Sequence, residues 1–334
     1  MDDSIKQIHA YIEVSNLLDQ LGLTKDYQLS FLAQGEYNRN YLLQDHQQRY
    51  VLRVNYGSQI TVDNQIQYEH HTLLALQNSG VTPQPYFVDG SYQHLPQGIL
   101  VMAYIEGRPL DYSRDIEVAA KIFARIHATE INESQRAVFI HEQRLFSDRF
   151  KEANHWLQDV WQSQHLNAEQ KDILQQVMRY AEDNCHREQY FVDNPLSCIN
   201  NTEVNSHNFI INDQNPTLVD WEKAVVSDPC QDLTHFMALT TTRWKTESVL
   251  DKEQQELFFN TYLDAIPAFQ QASIRERVEL YKPYLNLRAI SWCAYAYVEY
   301  QRPDRPINNA STYLKLQEYL DVDFLKTLFR DQLN

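Results

Sequence analysis

The hydrophobic period of this chain switches once, and that switch limits the folds open to it. Residues 4–20 carry Ile5, Ile8, Ile12, Leu17 and Leu18 at helical spacing, and an N-terminal helix is expected there. From Tyr27 the period becomes two: YQLSFLAQ, NYLLQ and RYVLRV read as three short strands joined through QGEYNR and DHQQ. VDNQIQYEHHTLLALQNSG then carries one helix, with Asp63 near its start and Gly80 just past its end. PQPYFVDGSYQ and QGILVMAYIEG add two strands, the second a continuous apolar run closing at Glu106 and Gly107. Beyond Gly107 the pattern is helical over residues 115–128, 146–163, 168–187, 230–241, 252–264, 273–301 and 311–330, broken only by the short strands FIIN and TLVD. The expectation is an α+β protein: a small N-terminal sheet lobe with one packed helix over residues 1–107, and a larger, mainly helical lobe over residues 108–334.

A length of 334 residues suffices for two lobes, each with its own core. The formal charge of −16 comes from 29 basic against 45 acidic residues, with no Lys/Arg cluster able to neutralise a phosphate backbone. Nucleic acid is thereby excluded as a partner, and a cationic small molecule is favoured. The N-terminus MDDSIKQIHAYIEV lacks a signal pattern, and no apolar run approaches the roughly 18 residues of a membrane span, so a cytoplasmic protein without membrane contact is expected. Cys185, Cys198, Cys230 and Cys293 are scattered without paired spacing, which suggests neither a zinc site nor a disulfide framework. Asn132, Asn200 and Asn309 begin glycosylation sequons, but a glycan on Asn200 would sit beside the candidate catalytic loop, which again suits the cytoplasm. Oligomeric state has no signature in the sequence.

The chemistry concentrates in CINNTEVNSHNFIINDQNPTLVDWEKAV, residues 198–225. Phosphoryl transfer asks little covalent help of a protein: Mg²⁺ bridging the phosphates, a cation on their oxygens, a carboxylate to orient the attacking hydroxyl, and a loop over the nucleotide. An acid followed after four intervening residues by Asn, on a loop before a strand, is the base-plus-metal arrangement D-x-x-x-x-N, and Glu203 with Asn208 occupies it. Asp220 opens DWE after the strand TLV, where the main metal-binding Asp would stand.

Over roughly residues 25–300 the chain resembles the aminoglycoside phosphotransferase and choline kinase family, which shares the protein-kinase-like two-lobed fold. The resemblance is carried by VLR with Glu69 sixteen residues after Arg53, by GILVMAYIEGRPL, by the helix AAKIFARIHA and by LVDWEKAVVSDPCQDLTHF. It implies ATP and Mg²⁺ as cofactors, Asp220 and Asn208 as metal ligands, Arg53 on the nucleotide phosphates with Glu69 orienting it, and backbone groups of Ala103 and Ile105 on adenine. It also implies an ATP-dependent transfer of the γ-phosphate to a hydroxyl of a small molecule such as an amino alcohol, aminoglycoside or sugar, with ATP not distinguished from GTP. Asp228 and Asp232 match acids the family uses after its metal Asp, and Asp232 is expected to cap the helix DLTHFMAL.

Three departures stand out. The family's loop usually reads H-G-D, and here Asn201, Thr202 and Glu203 occupy those positions. The strand cation is Arg53 instead of the Lys of protein kinases; Arg forks bidentately onto phosphate or carboxylate and can act as a clamp. The phosphate loop QGEYNRN has a single glycine, Gly35, so Asn38 and Asn40 are expected to supply the tight backbone and amide donors. Glu is an acid one methylene longer than Asp, and in a loose transition state the base contributes less than metal and positioning, so the exchange is compatible with turnover. The alternative is a nucleotide-binding pseudokinase in which Glu203 marks lost catalysis. His70, His71 and His207 have no ligand set at metal spacing, and Cys198 reads as a small buried hydrophobe. On the helix from residue 281, Arg288, Trp292, Tyr295 and Glu299 share a face that could receive an amine, although an aromatic stripe at this spacing is commonly core.

Overall fold

The computed structural model describes the chain except residues 1, 2, 36, 59, 303–309 and 334 and the side chains of Asp3 and Phe269; the Asn309 sequon thus lies outside the described residues. Two compact units emerge: residues 1–110, 125–140 and 207–225 form the first, and residues 111–124, 141–206 and 226–334 the second.

The first unit is built on an antiparallel sheet of β1 (Gln28–Gln34), β2 (Asn38–Gln44), β3 (Arg49–Asn55), β4 (Pro85–Asp89) and β5 (Gly98–Ala103), in the order β1-β2-β3-β5-β4. The alternation decides which face each side chain takes. Tyr41, Leu43, Tyr50, Leu52, Val54, Ile99 and Val101 point to one face and pack with Ile8, Tyr11, Ile12, Leu17 and Leu21 into one apolar core. Those last residues come from α1 (Asp3–Val14) and α2 (Leu17–Leu21), which the sequence suggested as a single helix; the chain breaks it at Asn16, which adopts a left-handed conformation.

The alternate residues of β2 and β3 face the other way. The register pairs Asn38 with Asn55 and Asn40 with Arg53, so four polar side chains meet on that face of a central strand pair. Helix α3 (Gln65–Leu76) packs against β4 and β5, with Asn64 as N-cap accepting from the Gln67 amide at 3.3 Å. Its closeness to the sheet depends on Gly98, where an added Cβ would lie 2.5 Å from Ile66 Cγ2. Gly98→Ala is therefore expected to push α3 off β5 and cost about 1–3 kcal/mol, measurable by urea denaturation.

Chain stretches beyond Gly98 complete the unit. The short strands β6 (Arg108–Pro109), β8 (Phe209–Ile211) and β9 (Thr217–Leu218) form a small antiparallel sheet in the order β6-β8-β9. The helix α5 (Glu133–Arg136) carries a capping box at Asn132 and Gln135.

The second unit is helical: most of α4 (Ile116–His127), then α6 (Leu145–Gln162), α7 (Ala168–Asn184), α8 (Gln189–Asp193), α9 (Cys230–Met237), α10 (Leu239–Lys245), α11 (Lys252–Asp264), α12 (Ala268–Glu299), α13 (Ala310–Tyr319) and α14 (Val322–Leu328). The long α12 packs along α6 and α9, with Phe146 stacked on Tyr284 at 3.9 Å between ring centres. Two expected helices are each divided. Ala238 leaves helical geometry between α9 and α10, and Asp321 starts α14 by accepting from the Asp323 and Phe324 amides. Strand β7 (Cys198–Asn200) pairs with β10 (Val225–Ser227), placing the end of β7 beside the start of α9. Among the described residues no helix is long and apolar enough to cross a membrane.

Candidate active site

In the first unit, Arg53 lies near the end of the central strand β3 with only 5% of its surface exposed. A buried guanidinium must be paired, and each partner comes from a different element. Nη1 donates to Glu69 of α3 at 2.5 Å and to Asp220, two residues past β9, at 3.0 Å, while Nε donates to Asn40 of β2 at 3.0 Å. Burial alone would disfavour its charge, but Glu69, Asp220 and Glu222 outweigh that and hold the group above the usual arginine range. Burial likewise pushes the Glu69 carboxyl up, against the pull of Arg53.

Asp220 follows directly from this sheet. The Val219 amide donates to Asn208 O at 2.8 Å, continuing the β8–β9 pairing and bringing Asn208 alongside Asp220. Asp220 then turns into a left-handed conformation with φ 66°, which Asp tolerates better than most residues. The chain after it is docked on α3: Gln65 donates to Glu222 O at 2.7 Å, and the Tyr68 hydroxyl donates to Ala224 O at 2.5 Å. Trp221 is fully buried and donates to Leu218 O at 2.9 Å.

Between β1 and β2 the Gly35 amide donates to Asn38 O at 2.9 Å; Glu36 lies outside the described residues. An added Cβ at Gly35 would meet only Asn38 O at 3.9 Å, so packing does not demand glycine there. Asn38 accepts from Asn55 at 2.8 Å and donates to Glu222, and Asn40 holds Arg53, so both amides are fixed on this face of β2. Ala103 ends β5 with its amide donating to Gln84 O at 2.8 Å, and Ile105 follows in half-buried irregular chain. Glu222, Asn55 and Gln65 were not singled out in the sequence. Their signals were the β2–β3 register, which opposes Asn38 to Asn55, and the spacing of Glu222 two residues after Asp220.

In the second unit, β7 ends at Asn200 and the loop after it carries Asn201, Thr202 and Glu203. Asn200 and Asn201 are fully buried, Thr202 is buried and Glu203 half-buried. Asp232 does not cap α9 as expected. It sits in the first turn, where its Oδ2 accepts from the Asn201 amide and its Oδ1 from the Thr202 amide, both at 2.8 Å. The helix-start bond comes instead from Asp228, which accepts from the Cys230 amide at 3.0 Å and pairs with the buried Arg277 of α12. Burial pushes the Asp228 carboxyl up, opposed by Arg277. Arg277 also donates to Asn194 O, tying α12 to the end of α8. Thr202 has φ 66°, a conformation costing about 1–3 kcal/mol for a β-branched residue and sustained only when its surroundings over-determine it.

The remaining sequence candidates have structural partners. His71 meets Gln135 O at 3.1 Å, and Cys198 is buried with its thiol 3.6 Å from Ser227 O. All four cysteines are free. On α12, Arg288 donates to Glu152 at 3.0 Å, Trp292 meets Trp244 edge-on with ring centres 6.0 Å apart, and Glu299 pairs with Arg302 at 2.9 Å. Tyr295 is half-buried on the same face.

Solved structures of the same fold span nearly the whole chain. Spectinomycin phosphotransferase APH(9)-Ia, determined with ADP and spectinomycin, aligns at TM-score 0.63 and 12% identity, covering 96% of this chain and 98% of that one. An ethanolamine kinase of Plasmodium vivax aligns at TM-score 0.65 and 12% identity over 100% of this chain and 91% of that one. A choline/ethanolamine kinase family protein of Mesorhizobium loti gives TM-score 0.63 and 19% identity over 98% and 95%. No curated protein sequence matches. The α+β architecture is therefore the protein-kinase-like one expected from the sequence. The model of the phosphotransferase enzyme family (APH) matches residues 28–269, a stretch that begins at β1, ends at the start of α12 and contains Arg53, Glu69, Asn201, Glu203, Asn208, Asp220 and Asp232. By that match the chain belongs to the phosphotransferase enzyme family, and is an enzyme of the small-molecule kinase class.

Proposed function

We propose that the chain transfers the γ-phosphate of ATP to a hydroxyl of a small molecule, in the cytoplasm and with Mg²⁺. Residues 1–107 would hold the nucleotide and residues 108–334 the acceptor, plausible acceptors being amino alcohols, aminoglycosides and sugars. The observation that carries this reading is the buried, permanently charged Arg53, held at once by Glu69, Asn40 and Asp220. A strand cation oriented by a helix carboxylate is the phosphate clamp of this fold, and its geometry accounts for both acids better than a surface ion pair would.

Asp220 and Asn208 would hold Mg²⁺. An aspartate carboxylate and an asparagine amide oxygen, adjacent through the Val219 to Asn208 bond, are the hard oxygen donors that this ion prefers. When bound, the ion neutralises charge on the phosphates. Arg53 would bind the phosphate oxygens, the carbonyl of Ala103 and the amide of Ile105 would meet the adenine edge, and Gly35, Asn38 and Asn40 would shape the loop over the phosphates. Glu203 would orient the acceptor hydroxyl and take its proton as the new bond from oxygen to Pγ forms and the bond from Pγ to the β–γ bridging oxygen breaks, releasing ADP. The net charge of −16 favours an acceptor bearing an amine.

The test is to incubate the protein with ATP, Mg²⁺ and a panel of amino alcohols, sugars and aminoglycosides, resolving products by mass. One phosphate added to an acceptor, abolished by EDTA, is the expected result. ATP binding without any product would favour the nucleotide-binding module, and transfer of AMP would place the chain in another reaction class.

A further inference from the structure

Thr202 is the one β-branched residue with positive φ among the described residues, and it directly precedes Glu203. Glycine, usual at this position in the family that the sequence resembles, adopts such a φ freely. Here the turn is instead enforced from three sides. Asp232 takes the Asn201 and Thr202 amides at 2.8 Å, and its own amide donates to Asn200 Oδ1 at 3.3 Å. Asn200 in turn donates to Ser227 O at 3.2 Å, fastening the loop to β10. Lastly, Asn201 Oδ1 accepts from the Glu203 amide at 3.0 Å, so the backbone of the acid itself is held by a fully buried side chain.

We infer that Asn201 and Thr202 are positioning residues for Glu203, an inference resting on the proposed role of Glu203 as the base. A Glu side chain has one more rotatable bond than Asp, and a carboxylate on a longer lever needs a stiffer base to reach a single reactive geometry. The β-branched Thr202 narrows the backbone preceding the lever, and Asn201 clamps its amide. The local conformation is unfavourable in itself and is retained because it orients the acid.

The test uses the full chain with MgATP and the acceptor from the amino-alcohol, sugar and aminoglycoside panel that turns over fastest, or with water if none does. Asn201→Ala should lower kcat by about 10²-fold with the KM for ATP little changed, as expected for misplacing a reacting group. Asn201→Ser should recover part of that loss, because a hydroxyl can accept from the amide two residues on, more weakly. Thr202→Gly should lower kcat by about tenfold while leaving Tm equal or higher, since glycine relieves the left-handed strain. In a Glu203→Gln background the Asn201→Ala loss should vanish, because both act through one group. Asn201→Ser and Thr202→Gly variants that turn over at the wild-type rate, or that lose Tm in parallel with kcat, overturn the inference, and so does an Asn201→Ala loss that persists undiminished in the Gln background. If instead Glu203→Gln alone turns over like wild type, the role of Glu203 as base is what fails.

Discussion

Glu203→Gln is expected to lower kcat by on the order of 10² to 10⁴ while changing ATP affinity little. The amide keeps the length and shape of the side chain but cannot accept the acceptor's proton. Glu203 has its own amide held by Asn201 and lies in a loop anchored by Asp232, so the substitution leaves the backbone network intact. The loss should fall toward the lower end of the range, because a loose phosphoryl-transfer transition state depends more on metal and positioning than on proton abstraction. Glu203→Asp returns the usual acid on a shorter arm and should be intermediate. The order wild type, then Asp, then Gln, in steady-state rates with any acceptor that turns over, supports a kinase adapted to Glu. Equal rates for wild type and Gln would remove Glu203 from the mechanism. A wild type inert toward every acceptor, with Asp alone gaining activity, would instead identify a pseudoenzyme.

Arg53→Ala should destabilise the protein by about 3–5 kcal/mol, because it leaves Glu69 buried without its cation. Glu69 is 2% exposed and Arg53 is its ion-pair partner at 2.5 Å, so water has little access to compensate. The deficit should depend on pH with a definite sign. Burial already raises the Glu69 carboxyl, and removing Arg53 raises it further, so between the ordinary carboxyl range and the raised folded value the folded variant holds a proton that the unfolded chain releases. Stability of the variant relative to wild type therefore improves as pH falls from the raised folded value toward the ordinary carboxyl range, and is lowest and level above the raised value. A double change, Arg53→Ala with Glu69→Ala, should cost less than the sum of its parts. For binding, Arg53→Lys is the better probe: it keeps the charge but lacks the fork that reaches Glu69, Asp220 and Asn40 together, and it should weaken ATP much more than adenosine. Equal weakening of both ligands would assign Arg53 to structure alone.

How much of this was legible beforehand follows from the range of each interaction. Period-two alternation from Tyr27 and helical spacing after Gly107 were sufficient for the α+β architecture, because each depends on residues a few positions apart whose apolar side must be buried somewhere. The order of strands β1 to β3 was likewise legible, since short turns leave adjacent antiparallel strands little choice. Where helices break was not. Asn16, Ala238 and Asp321 interrupt runs whose apolar spacing continues across them, and a periodic pattern carries no record of a backbone that leaves the helix for one or two residues.

At the candidate site, spacing alone marked Glu203, Asn208 and Asp220, since these positions stand at fixed intervals along one segment. For Asp232 the sequence suggested a plausible but mistaken role. An acid near a helix start reads as a cap, and only the pairing of β7 with β10 puts the Asn201 and Thr202 amides within its reach. Glu222 as the partner of Asn38, 184 positions apart in the chain, could not be read from local pattern at all. Hydrophobic periodicity is a local property, and so the sequence by itself determined the elements and the residue types of the site. Buried polar groups must find partners wherever the folded chain brings donors and acceptors together, and so the tertiary structure alone decided which carboxylate holds which amide.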